Sequence, residues 1–364
     1  MNKTETVIKK PQGRSRGIDA LRGTAVLMVV FFHSYVPSVG IRVYDSFLSF
    51  FHQYGTLGVD LFFVLSGFCI HGAYSKRGGE FSAKNYLSRR WWRIYPPYFF
   101  ALSLAVILNL ATNYFKWSHG AAVSWDNFGP LAVLSHLFLM HDFSQQTMLT
   151  ISGPFWTIAM EMQYYLLYLL LRPFFYSGKG WVFLFLSSLI LYFAAWHFYF
   201  IPSTAQPLNP FCYWIQWVLG AFLVYLTRIV PGFFNRKNSY FMFFIFLCSM
   251  FAYSSNMAGG PLLNRLVLSA GFFVLIAFAV SAEEVWGMGA VQWLPFVGLF
   301  SYSVYLTHFL FIDRVRTFVI MELPQGWPRF FVSTATIGAS LVIAYLFYLY
   351  FEKPFHEKAV SIPK

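Results

Sequence analysis

At 364 residues, 58% hydrophobic and only 11% charged, the chain carries under half the charge of a soluble globular domain, for which about a quarter is usual. Its mean hydropathy of +0.55, with 45 Phe, 23 Tyr and 12 Trp, excludes an aqueous fold and suits lipid-facing surfaces with aromatic belts. The net charge of +12 would suggest nucleic acid in a soluble protein; here it fits basic loops against an anionic leaflet.

Residues 1–17 form a polar, basic tail. The apolar run that follows resembles a secretory signal. Asp19 and Arg22 interrupt its start and no small-residue cleavage site follows, so an uncleaved first span is expected. With roughly 20 apolar residues per crossing, spans are expected at about 18–37, 58–75, 92–112, 154–172, 181–199, 211–229, 239–256, 262–281, 298–318 and 330–351. The run at 131–140 is too short to cross and is expected to be re-entrant or interfacial. Ten spans put both termini on one side. The positive-inside rule places that side in the cytoplasm, with 19 Lys and Arg there, 6 outside, and Arg22 within the first span. The expectation is an all-α polytopic protein of about ten helices: a cytoplasmic tail over 1–17, one transmembrane domain over 18–355, and a second cytoplasmic tail over 356–364.

Ionisable residues at membrane depth are costly and mark function by default. The first span holds Asp19, Arg22 and His33. Asp19 and Arg22 are spaced i,i+3 and can pair. The eleven-residue step to His33 returns it to the face of Arg22, about 16 Å away along the axis. A hydrogen-bonded core histidine is the competing reading. In the second span, Asp60 lies near the outer mouth and Ser66-Gly67 would permit close helix approach. Ser66 as a nucleophile lacks a base and a strained elbow, so packing is its expected role.

Arg90 and Arg93, in the stretch Arg89 to Pro97, project from one face at the cytoplasmic mouth of the third span. They form a fork suited to phosphate, unless they are an ordinary anchor. The fourth span carries Trp156 and Glu161. Glu161 falls about 10 Å below the outer surface, and His33 about 22 Å above the inner surface of a ~30 Å core, so the two share a level. A base with its orienting carboxylate is one reading and a structural ion pair the other. The ninth span adds Tyr302 and His308 on a polar stripe, which lines a pocket or packs. Cys69, Cys212 and Cys248 lie in apolar runs without ligand spacing, so no disulfide framework and no metal is expected.

Taken in order, these motifs resemble acyltransferase family 3, the polytopic O-acyltransferases that modify bacterial surface polysaccharides. The resemblance runs from Gly17-Ile18-Asp19-Ala20-Leu21-Arg22-Gly23 with His33, through Gly58 to Phe68, Arg90-x-x-Arg93, Trp156 to Tyr165 and Ser301 to His308. It ends at Phe351-Glu352-Lys353-Pro354-Phe355. Ile18, Ala20 and Thr307 depart from the common residues without removing an ionisable group.

The resemblance implies an enzyme of the bacterial inner membrane. It would take an acyl-CoA donor, most often acetyl-CoA, from the cytoplasm and a hydroxyl of a glycan, glycolipid or related acceptor outside. No esterase-like soluble domain is expected. Arg22, Arg90 and Arg93 would hold the CoA phosphates, and His33 with Glu161 would catalyse by direct attack or through an acyl-histidine. Asp19, Asp60, Ser66, Trp156, Tyr302 and His308 would support. The alternative is an exporter of a glycan or lipid-linked substrate, but the inverted repeats expected of a transporter are not evident in the sequence.

Overall fold

The computed structural model describes residues 15–36, 39–75, 81–120, 123, 129–198, 209–230 and 236–363, and all regular structure among them is helical. Helix α1 (Arg16–His33) begins where Ser15 Oγ accepts from the Ile18 amide at 3.3 Å. The Glu283 carboxylate accepts from Ser15 Oγ at 2.9 Å and from the Arg16 amide. A hydroxyl cap and a carboxylate at this positive helix end both favour the start.

After the short α2 (Arg42–Tyr54), α3 (Leu57–Tyr74) packs on α8 (Pro210–Ile229) through two glycines. A Cβ at Gly67 would lie 1.9 Å from the Trp217 carbonyl, and one at Gly220 would lie 1.8 Å from that of Val64. The backbones touch, as small residues allow between membrane helices. On the other side of α1, the six-residue α11 (Leu294–Leu299) comes equally close: a Cβ at Gly298 would lie 1.8 Å from the Asp19 carbonyl.

Helix α4 (Ala83–Ser118) runs 36 residues with Pro96 and Pro97 inside it, about 54 Å. The eight-residue α5 (Pro130–Leu137) spans only about 12 Å and does not cross. Its end meets the early part of α4, where Tyr95 and Tyr98 donate to the carbonyls of Leu137 and His136. The returning chain reaches Ile151, whose carbonyl accepts from Asn109 three-quarters of the way along α4. The segment therefore dips into the bundle and comes back. Gln163 fixes its turn by donating to Leu139 O at 3.2 Å and Asp142 Oδ1 at 2.8 Å. Irregular backbone at this depth is tolerated because protein surrounds it.

The remaining long helices are α6 (Trp156–Leu171), α7 (Gly178–Phe198), α9 (Arg236–Ser254), α10 (Pro261–Ser281), α12 (Ser301–Phe318) and α13 (Trp327–Phe347). A π-turn at Tyr348–Glu352 joins α13 to α14 (Lys353–Ser361).

Six described stretches are long and apolar enough to cross a membrane: α3, α4, α7, α8, α10 and the run from α13 through α14. Helices occupy all ten expected positions, but length and composition alone carry fewer crossings than the ten expected. The four that fall short have physical reasons. Helix α1 includes Arg16, Asp19 and Arg22, and α12 includes Asp313, Arg314 and Arg316. Helix α6 has 16 residues, and the apolar part of α9 spans only Asn238–Ser254. Charge inside a helix is itself the mark of a functional site in a membrane protein.

Candidate functional site

Two cavities flank α1, one toward each end. The first, of about 370 Å³, is lined by Arg22, Arg89, Arg90, Arg93, Glu161 and Glu352. The second, of about 1070 Å³, is lined by His33, Trp156, Trp196, Arg265 and Arg314 among others. Ligand pockets typically hold ~300–1,000 Å³, so both have room for a substrate part. Val59 and Tyr305 line both and form the wall between them.

In the arginine cavity, Arg22 Nη2 lies 3.3 Å from Cys69 Sγ and Nη1 lies 3.6 Å from Asp19 Oδ1, so the i,i+3 pair forms. The Arg90 guanidinium sits 5.5–5.9 Å from the rings of Tyr74, Tyr86 and Tyr165. Its Nε is buried without a hydrogen-bond partner. Arg93 lines the same cavity one helical turn on, as the spacing predicts. A guanidinium that lines a cavity beside a second arginine, against tyrosine rings and the Tyr74 hydroxyl, is suited to an anion such as phosphate. Arg89, which the Arg90-x-x-Arg93 spacing does not single out, also lines the cavity while donating to the Ile362 carbonyl.

Two carboxylates share this cavity. Glu161 accepts from Ser66 Oγ at 3.2 Å and from the Tyr165 hydroxyl. Ser66 thus lines the cavity while its neighbour Gly67 makes the close helix contact. Glu352, at the π-turn, accepts from the Ser303 amide at 3.1 Å and Ser303 Oγ at 2.5 Å. Its position in the Glu-Lys-Pro-Phe motif was the only signal for it. Tyr302, beside Ser303, lines the cavity and donates to the Ile94 carbonyl at 2.9 Å.

His33 does not meet Glu161. Its hydrogen-bond neighbours are the Val29 carbonyl, 3.0 Å from Nδ1, and His308 Nε2, 3.2 Å from the same Nδ1. His308 Nδ1 lies 2.9 Å from the Val304 carbonyl. A carbonyl only accepts, so each Nδ1 carries the proton in the neutral rings. His308 Nε2 then accepts from His33, and the lone pair of His33 is left on Nε2 in the second cavity. That is the tautomer a general base needs. The shared level expected of His33 and Glu161 does not bring them together: Glu161 lines the cavity at the Arg22 end of α1, and α12 supplies the partner of His33 at the other.

Trp156 lines the histidine cavity with its ring 5.5 Å from that of Tyr213. Asp60 lines neither cavity. It is fully buried in a two-point pair with Arg265, Nε to Oδ1 and Nη2 to Oδ2 both at 2.7 Å, and also accepts from Gln216. Its partner Arg265 forms part of the cavity wall. The wall between the cavities is tied at Tyr305, whose hydroxyl accepts from Thr157 at 2.7 Å and donates to the Pro154 carbonyl at 3.1 Å.

Comparison with known proteins agrees with the motifs. A Staphylococcus aureus (strain MSSA476) protein, provisionally named as an O-acetyltransferase, is 23% identical over 99% of this chain and 60% of its own length. The peptidoglycan O-acetyltransferase OatA of Listeria monocytogenes is 23% identical over 93% of this chain and 55% of its own. A Komagataeibacter xylinus protein, provisionally named as a membrane-bound transacylase, is 26% identical over 43% of this chain and 36% of its own. The chain thus spans about 60% of the length of the curated relatives it matches most fully. No solved structure matches. The acyltransferase domain profile of family 3 matches residues 15–349, and the chain belongs to that family.

Proposed function

We propose that the protein is an O-acetyltransferase of the bacterial cytoplasmic membrane that carries an acetyl group from acetyl-CoA inside to a glycan hydroxyl outside. One observation carries the reading: a cavity lined by Arg22, Arg90 and Arg93 and a cavity lined by His33 share Val59 and Tyr305 in their walls. The count of 19 basic residues against 6 supports ten crossings with both termini in the cytoplasm. On that topology the arginine cavity opens inward and the histidine cavity outward.

Arg22, Arg90 and Arg93 take the phosphates of the donor, which leaves the pantetheine arm to point along α1 towards Tyr305. The acceptor hydroxyl lies against His33 Nε2. As its oxygen bonds to the thioester carbonyl carbon, its proton passes to Nε2. The carbon–sulfur bond then breaks, and the departing CoA thiolate takes the proton from the His33 imidazolium, which restores the neutral ring. The His308 bond holds the reactive tautomer and steadies the imidazolium that forms. Direct transfer needs no second covalent step, whereas an acyl-histidine would need the lone pair to act as nucleophile. Glu161 acts from the donor side, where it fixes the Tyr165 ring beside Arg90.

Purified protein given acetyl-CoA and a hydroxylated acceptor should release CoA only when the acceptor is present. His33→Ala should abolish that release. CoA release unchanged by His33→Ala would sink the assignment, and an exporter would release none in the parent protein.

A further inference from the structure

The histidine cavity carries more positive charge than the transfer chemistry requires. Two carboxylates, Asp60 and Asp313, lie in or beside its wall, and each is already engaged. Asp60 is held by Arg265 at 2.7 Å, and Asp313 by Arg316 at 2.5 Å. Arg314 and Lys116 also line the cavity. Arg314 donates to two neutral oxygens, the Leu310 carbonyl at 2.7 Å and Asn109 Oδ1 at 2.5 Å, and its Nε is buried without a hydrogen-bond partner. Lys116 rests 5.7 Å over the Phe318 ring. No ion pair joins either cation to a carboxylate among the described residues.

A guanidinium that lines a cavity and is held in place by neutral oxygens, with no carboxylate hydrogen-bonded to it among the described residues, is preorganised for an anion. The same cavity presents the amide of Asn109 and the rings of Trp156 and Trp196, the polar and flat apolar surfaces that a sugar ring uses. We infer that Arg314, with Lys116, selects an acceptor that carries an anionic substituent, a carboxylate or a phosphate, on its hydroxylated ring. This rests on the reading of the histidine cavity as the acceptor site, and it adds the charge class of that acceptor. The anion at Arg314 anchors one end of the ring and leaves a hydroxyl free to reach His33.

The test is direct binding to the purified full chain in nanodiscs, followed by quenching of tryptophan fluorescence. The probes are D-glucose, D-glucuronic acid and D-glucose 6-phosphate. At least one anionic probe should bind about tenfold or more tightly than glucose, the worth of a charge-assisted hydrogen bond. A gain for only one of them names the carboxylate or the phosphate as the recognised group. The gain should shrink in 0.5 M NaCl, vanish in Arg314→Gln and return in part in Arg314→Lys. Lys116 is only half-buried and makes no ion pair among the described residues, so Lys116→Gln should fold and should lower the gain. Equal binding of all three probes, no binding of any, or a gain that persists in both glutamine variants would overturn the inference. Acetyl transfer is scored separately: its absence with the anion preference intact breaks the proposed function and leaves this site standing.

Discussion

The two cavities differ in how their charges are held, and the difference separates binding from chemistry. In the arginine cavity, Arg22 lies against the Cys69 thiol and pairs with Asp19, Arg90 sits among tyrosine rings, and the carboxylates of Glu161 and Glu352 are bonded to hydroxyls and an amide. The Arg90 guanidinium there faces neutral rings and can meet an incoming anion. In the histidine cavity, Arg265 is locked in a pair with Asp60, Arg314 is held by neutral oxygens, and the reactive group is a neutral imidazole fixed by His308. One region is built to attract a polyanion, the other to accept a proton.

The comparison breaks first at His33. His33→Ala should cut acetyl transfer by about 10²–10⁴-fold, the range for a general base, while CoA affinity stays within about twofold. Steady-state CoA release and an independent CoA-binding measurement check the two halves. A large loss of CoA affinity would mean that the cavities are not separate in function.

The next effect falls on stability. Asp60→Ala strands Arg265 as a buried unpaired cation, and breaking such a pair costs about 3–5 kcal/mol. Thermal unfolding in detergent should show the loss. The doubly altered Asp60→Ala, Arg265→Met chain should recover part of it, because a neutral pair leaves no charge stranded. A single variant as stable as the parent would show that the pair adds nothing to the wall.

How much of this was legible in the sequence follows from which contacts are local. The helix positions came from apolar runs, and the Asp19–Arg22 pair and the shared face of Arg90 and Arg93 came from helical spacing. Depth along a helix could also be counted, and it placed His33 and Glu161 at one level. Such a count assumes straight helices upright in a slab of fixed thickness, and Glu161 instead lines the cavity at the Arg22 end of α1, away from His33. The pairs His33–His308, Asp60–Arg265 and Ser303–Glu352 join residues 275, 205 and 49 positions apart, and no periodicity encodes such distances. The crossing number suffered from the same chemistry that marks the site, since the charges of α1 and α12 lower the apolar signal of those helices.

A smaller effect tests the donor side. Arg93→Ala should raise the dissociation constant for acetyl-CoA by about 10- to 100-fold, as expected for one charge-assisted contact. The parent affinity should weaken with salt more steeply than that of the variant. The maximal rate at saturating donor should change far less than in His33→Ala. Equal loss in both quantities would place Arg93 at the reacting atoms rather than at the phosphates.

The smallest expected effect concerns the wall itself. Tyr305→Phe keeps the ring, and with it the edge-on contact to Phe62 at 6.0 Å, but removes the hydroxyl that Thr157 and the Pro154 carbonyl hold in place. Each neutral hydrogen bond is worth about 0.5–1.5 kcal/mol, and Thr157 retains a second acceptor in Pro154 O at 3.2 Å. The fold should therefore lose little, about 1 kcal/mol. The functional reading differs, because a loosened ring lets water from the histidine cavity reach a thioester held on the arginine side. Acetyl-CoA hydrolysis without acceptor should then rise about three- to tenfold, the change that ~1 kcal/mol of wall stability permits. Acceptor-dependent transfer should change less than hydrolysis. If both fell together, Tyr305 would be positioning the reactants rather than dividing two compartments, and the separation of binding from chemistry would have to be drawn elsewhere along α1.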